Sequence, residues 1–117
     1  MYIDEFRVYC LSKKGATEDT PFGPDTLVFK VMNKVFALTG IDRFEFVNLK
    51  CDPEYAVELR EKEEGIKPGW HMNKTHWNSV MVNGTVSEIL FKELIDHSYA
   101  LIVASLPKQL KEELAGL

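Results

Sequence analysis

Apolar positions near the start of the chain recur at three- and four-residue spacing: Tyr2, Phe6 and Tyr9, with Ile3 and Cys10 beside them. That period predicts one buried face of an amphipathic helix, with Gly15 as a stop. Between Thr20 and Asp25, Pro21 and Pro24 remove backbone donors and fix φ, so a loop follows. From Thr26 the period changes to two. Leu27, Phe29 and Val31 alternate with Val28, Lys30 and Met32, and a tight turn at Asn33-Lys34 leads into a second alternating run, Val35 to Thr39. A third run, Phe44 to Cys51, places Phe44 and Phe46 on one face and Val47, Leu49 and Cys51 on the other. Three antiparallel strands in a meander are predicted.

Asp52 followed by Pro53 reads as an N-cap with proline at the first helical position, where its missing N–H costs nothing. This helix should run to Lys62 or Glu64 and stop at Gly65. Ile66 to Asn73 and Thr75 to Val82 are read as two strands, closed by the turn signal Asn83-Gly84. Thr85 or Ser87 caps the longest helix, which should reach Ala104 with a core stripe of Leu90, Phe91, Leu94, Ile95, Leu101 and Ile102. Pro107 opens a short final helix with Leu110 and Leu114 on one side. This order of elements points to an α+β fold in which helices pack mainly on one face of an antiparallel sheet. Phe29, Phe36, Phe46, Leu94 and Ile102 are expected in one core.

At 117 residues, without repeat or linker, residues 1–117 form one domain that needs no metal or disulfide to fold. The 45% hydrophobic and 27% charged content is that of a globular chain, and no run approaches the ~18 apolar residues of a membrane span. Asp4 and Glu5 stand where a secretory signal would carry Lys or Arg, so the cytoplasm is expected. Cys10 and Cys51 then remain free, buried thiols.

Charge alters this picture. The net charge is −4, which opposes tight nonspecific binding to DNA, yet Ile66 to Ser87 contains no Asp or Glu while holding both tryptophans and two of the three histidines. Aromatics interleaved with Lys, Asn and His suit contact with bases and phosphates. Lys67 and Lys74 are expected to share a basic surface with at least one of Lys30, Lys34 and Lys50.

Catalysis needs a constellation of residues, and the spacing in this chain does not supply one. His71 and His76 are five apart, on opposite faces of a strand or about 140° apart on a helix, and make no local metal pair. Cys51 ends a strand whose inward face is apolar, which suits packing and not nucleophilic attack. Ser98 lies within an apolar helix and is expected to make a local backbone bond or a helix contact. Glu58, Glu61, Glu63 and Glu64 beside Arg60 and Lys62 read as a solvated helix face. No phosphate-binding glycine motif is present, and neither enzyme activity, cofactor nor metal is expected.

Several blocks in order, Thr26 to Val31, Lys34 to Leu38, Leu49-Lys50-Cys51-Asp52-Pro53-Glu54, Gly69 to Val80, Ser98-Tyr99 and Leu106-Pro107-Lys108, resemble the MmcQ/YjbR family of small bacterial proteins. The resemblance covers nearly the whole chain. It implies a two-layer α+β sandwich of the frataxin-like (CyaY-like) class, with an antiparallel sheet, paired β wings and helices mainly on one face. It also implies DNA binding without catalysis, through a basic, aromatic-rich wing surface of Lys30, Lys34, Lys50, Lys67, Trp70, His71, Lys74 and His76. The family often has Tyr at the position of Trp70, so a stacking surface is kept there. Trp77, Asn78, Ser98 and Tyr99 are the family-typical structural residues, with Trp77 largely buried and Trp70 more exposed. A module of the same fold that binds a protein or small ligand, and no nucleic acid, is the alternative. A monomer is expected in either case.

Overall fold

In the computed structural model, which describes residues 1–117, the predicted caps start the central helices. The Tyr55 backbone N–H donates to Asp52 Oδ2 at 3.2 Å, and that of Leu90 donates to Ser87 Oγ at 3.1 Å. The elements in chain order are α1 (Ile3–Leu11), β1 (Ala16–Asp19), β2 (Thr26–Val31), β3 (Lys34–Gly40), β4 (Phe46–Lys50), α2 (Pro53–Lys62), β5 (Ile66–Pro68), β6 (Trp77–Met81), α3 (Glu88–Ser105) and α4 (Lys108–Ala115). The strands form one six-stranded sheet in the order β1-β2-β3-β4-β6-β5, with every neighbouring pair antiparallel. Two hairpins, β2–β3 and β5–β6, thus flank β4 as the wings of one continuous sheet.

All four helices contribute to a single apolar cluster with one face of this sheet, as the α+β reading requires. Phe6 and Cys10 come from α1, Ala56 and Leu59 from α2, Phe91, Leu94, Ile95 and Ile102 from α3, and Leu114 from α4. They meet Phe29, Phe36, Val47, Leu49 and Val80 from the strands. The Phe6 ring stands edge-on to Phe29, with centroids 5.3 Å apart at 88°, an arrangement that adds to area burial.

Several expectations are revised. Ala16–Asp19 forms an edge strand that alternation did not reveal, because its exposed and half-buried positions are filled by small and polar residues. The β2–β3 turn is centred on Met32-Asn33, both at positive φ (48° and 67°), one position earlier than expected and consistent with a type I′ turn. The first of the two later strands is confined to Ile66–Pro68, and residues 69–76 form a loop. Ser98 takes the buried place expected for Leu101, which is only half-buried. The Ser98 hydroxyl bonds across the fold: it donates to the Phe36 carbonyl at 2.6 Å and accepts the Lys50 N–H at 2.9 Å. Tyr99 completes the clamp by donating to the Lys14 carbonyl. Phe46 is not in the core. Phe44 packs on Phe6 with ring centroids 5.6 Å apart, whereas Phe46 lies on the opposite side of the sheet.

Two measurements test this packing. Leu94→Ala, at a position only 4% exposed, should cost about 2–5 kcal/mol in urea denaturation, and a loss under about half a kcal/mol would contradict its burial. Burial raises the Cys10 thiol well above its ordinary range and pushes Cys51 up to about 11. The unfolded chain ionises Cys51 near its ordinary value of 9.0, so above that pH the unfolded state binds fewer protons than the folded one. Stability should therefore fall from there up to about pH 11. At neutral pH iodoacetamide should label both thiols only in denaturant, and rapid labelling of the folded protein would refute their burial.

Candidate functional site

The face of the sheet turned away from the helices carries no helix of its own. Register and alternation place Val28, Leu38, Asn48, Ser79 and Lys67 in one row across its five strands from β2 to β5. Two buried polar residues at the centre of that row need partners, since an unsatisfied buried group costs about 1–3 kcal/mol. Ser79 Oγ donates to Asn48 Oδ1 and accepts the Trp70 N–H at 2.9 Å. Asn48 Nδ2 donates to the Trp70 carbonyl at 3.0 Å. Both backbone groups of Trp70 are thus held by buried side chains in the middle of the sheet.

The loop around Trp70 is fixed at its other points too. Gly69 begins it where a Cβ would meet Trp77 Cβ at 2.7 Å, so only glycine lets the chain leave β5 this closely. Asn73 Oδ1 accepts from the N–H groups of Thr75 and His76, and Lys74 Nζ donates to the Gly69 carbonyl at 2.8 Å. From the helical side Arg60 donates to Asn78 Oδ1 at 2.7 Å and to the Lys74 carbonyl, while Asn78 Nδ2 donates to the Ala56 carbonyl. Asn78 therefore ties β6 to α2, and Arg60 carries that tie on to the loop at Lys74.

On this frame Trp70 is 57% exposed. It stacks on Phe46, with centroids 5.3 Å apart at 25°, and His71 lies nearly parallel to it at 6.2 Å and 14°. His71 has φ 61°, a left-handed conformation uncommon for a residue with a side chain, and such outliers gather at functional sites. One side of the Trp70 ridge opens into a groove of about 450 Å³ lined by Phe22, Leu38, Phe46, His71 and Met72, among others. The other side opens into a hollow of about 380 Å³ that Lys67, Pro68, Lys74, Ser79 and Met81 complete.

Of the eight expected binding residues, Lys67, Trp70, His71 and Lys74 come together. Lys50 shares their face, opposite Trp77 in register. Lys30 faces the same way on β2 but is paired with Asp19 at 3.7 Å, which neutralises it. Lys34 begins β3 at the β2–β3 turn, away from this group. His76 is exposed at the loop's end, where its carbonyl accepts the Cys51 N–H at 2.8 Å. Lys50, Lys67 and Lys74 take part in none of the four salt bridges. Trp77 is half-buried and faces the uncovered side, contrary to the buried place expected for it. Phe22, Phe46 and Met72 were not anticipated here. Phe22, 71% exposed between Pro21 and Gly23, carried the signal of an aromatic at a loop tip. No three His, Cys, Asp or Glu side chains converge as metal ligands.

A family model described as YjbR matches residues 11–101. The chain is 31% identical over 118 residues to uncharacterized protein YjbR of Escherichia coli K12, across the whole of both chains. It is 43% identical over 90 residues to uncharacterized protein YbdF of Escherichia coli O157:H7, covering 76% of this chain and 74% of that one. Among solved structures it is similar to a Deinococcus radiodurans protein of the DUF419 domain family, with a TM-score of 0.90 at 38% identity over 97% of this chain and 87% of that one. A Pseudomonas syringae protein is similar with a TM-score of 0.73 at 33% identity, covering 86% and 98% respectively.

The polar anchor predicts a local phenotype. In a Trp77→Phe background, where tryptophan emission reports Trp70 alone, Ser79→Ala should leave the fold cooperative, cost about 1–3 kcal/mol and raise acrylamide quenching of Trp70. Unchanged quenching would show that the bond does not hold the ring in place.

Proposed function

We propose that this chain, which belongs to the YjbR family, is a non-enzymatic nucleic-acid-binding protein of the bacterial cytoplasm, acting through the uncovered face of its sheet. The carrying observation is Trp70: a largely exposed indole, anchored through its backbone by Ser79 and Asn48, beside the unpaired ammonium groups of Lys67 and Lys74. Lys74 gives one bond to Gly69 and keeps two further donors for a phosphate. Stacking supplies affinity for bases of any identity, and lysines supply the phosphate contacts.

The groups with nucleophilic or acid–base chemistry elsewhere are engaged in holding the fold together. Burial raises both thiols, the Ser98 hydroxyl bridges two strands, and His97 Nε2 accepts the Asp52 N–H. Binding therefore accounts for the site better than catalysis does. A second reading, a small planar ligand or an apolar protein segment seated beside Trp70, is favoured by the apolar lining of the groove and by the net charge of −4.

Anisotropy titration of a labelled oligonucleotide at two salt concentrations separates these readings. Nucleic-acid binding should weaken as salt rises, and the Lys67→Glu, Lys74→Glu double variant should flatten the log–log slope by about 0.7–0.9 per lost phosphate contact. Trp70→Ala should weaken binding by about 1–3 kcal/mol with little change in Tm. Salt-independent binding, or none by the parent protein, would transfer the case to the second reading.

A further inference from the structure

The two hollows beside Trp70 differ in chemistry, and the difference bears on which form of nucleic acid fits. The groove is apolar, with Phe22 on one loop, Trp70 and His71 on the other and Phe46 on β4 beneath them, and at about 450 Å³ it lies at the small end of ligand-site volumes. Its far end, at Gly40, adjoins a hollow holding two carboxylates, Asp25 and Asp42, against one cation, Arg43. Phosphates are disfavoured there. On the opposite side of the indole, Lys67 and Lys74 face no carboxylate within ion-pair distance.

Resting on the nucleic-acid reading above, we propose that the occupant is a single strand, with an unpaired base in the Phe22–Trp70 groove and its backbone passing over the Trp70 ridge to Lys67 and Lys74. A duplex hides the faces of its bases in the stack and presents phosphates and groove edges, which an apolar groove does not recognise. Nor does the loop project as a reading ribbon. Its backbone at Trp70 is bonded down onto Asn48 and Ser79 at mid-sheet, so the aromatic rings rise from a broad face some five strand spacings wide, about 24 Å, whereas the major groove is about 12 Å across. An unpaired base meets neither obstacle. The charges then orient the strand, drawing phosphates toward Lys67 and away from Asp25 and Asp42.

The test compares a labelled short oligothymidylate, an oligoadenylate and the duplex of the two, with unlabelled mononucleotide as competitor. Single strands should bind at least about tenfold tighter than the duplex. Phe22→Ala, at an exposed loop tip whose loss should not unfold the protein, should weaken single-strand binding by roughly 5- to 150-fold, the range for one stacked base, while leaving the salt slope unchanged. Lys67→Gln should instead flatten that slope. Equal or tighter duplex binding, or an unaltered affinity for Phe22→Ala, overturns the single-strand inference while salt-dependent binding keeps the broader reading alive. A mononucleotide that competes as well as the oligomer also overturns it, by making the groove a small-ligand site. Failure to bind all three nucleic acids overturns the single-strand inference together with the nucleic-acid reading on which it rests.

Discussion

The hydrogen bond from Ser79 to Asn48 is the contact on which the uncovered face depends. Neither residue can be replaced by an apolar one without consequence, because each has a second obligation to the backbone of Trp70. The pair turns what would be a loose hairpin loop into a layer docked on the sheet. Asn78, on the other side of the same strand, gives the loop its second anchor through Arg60 and ties both to α2. Strand β6 therefore uses its alternation twice, with Val80 and Asn78 toward the helices and Ser79 toward the loop. A strand with apolar residues at both faces would have bound the helices equally well and left Trp70 unplaced.

Charge follows the same division into layers. Ten of the eighteen carboxylates lie on the four helices, against six of the fourteen cations, so the helical layer accounts for the whole net charge of −4. The sheet with its loops is balanced, and its acids stand mostly at the β1 side and in the connecting loops. An acidic total and a locally basic patch are then compatible, since exposed charges more than a Debye length apart, about 8–10 Å at physiological salt, are largely screened. Electrostatic attraction at Lys67 and Lys74 is a near-field effect. Long-range steering by the whole molecule would oppose the approach of a polyanion, so the proposed nucleic-acid binding would depend more on stacking than it does in a basic protein.

The helices were legible because their signals are local. Asp52-Pro53, Ser87 and the 3.6-residue stripe of α3 are each contained within a few residues, and the pairs Leu27–Phe29 and Val47–Leu49 have the period of a half-buried strand. What escaped depends on partners far along the chain. Ser98 is buried because two strands splay beside it and leave a carbonyl and an N–H to satisfy, a demand invisible in the helix sequence. Phe44 and Phe46 share a parity but not a face, since β4 starts only at Phe46 and the chain before it is not extended as a strand. The stretch from Trp70 to His76 carries enough aromatic and polar residues to imitate a strand, and partners distant in sequence, Asn48, Ser79 and Arg60, hold it folded back on the sheet. For the candidate site, Lys67, Lys74 and Trp70 stand within the segment that lacks acids, Lys30 and Lys34 fall outside the group, and Phe22 and Phe46 needed the tertiary fold to bring them to the same groove.

The cost of the Trp70 loop also bears on its meaning. Other large apolar side chains are exposed, among them Tyr2, Val8, Ile89 and Leu117, but these sit at chain ends or on the outer surfaces of helices, where isolated exposure is ordinary. Trp70 differs in that two buried polar side chains are committed to its backbone and the next residue is held in a left-handed conformation worth of order 1 kcal/mol or more of strain. A loop serving only to join β5 to β6 needs two to five residues, and this one has eight between Pro68 and Trp77. Extra length, local strain and an exposed indole each lower stability, and none of them enlarges the core. Their coincidence at one place, beside the unpaired lysines and in the segment without acids, is the pattern expected where a surface has been shaped for a ligand and not for folding.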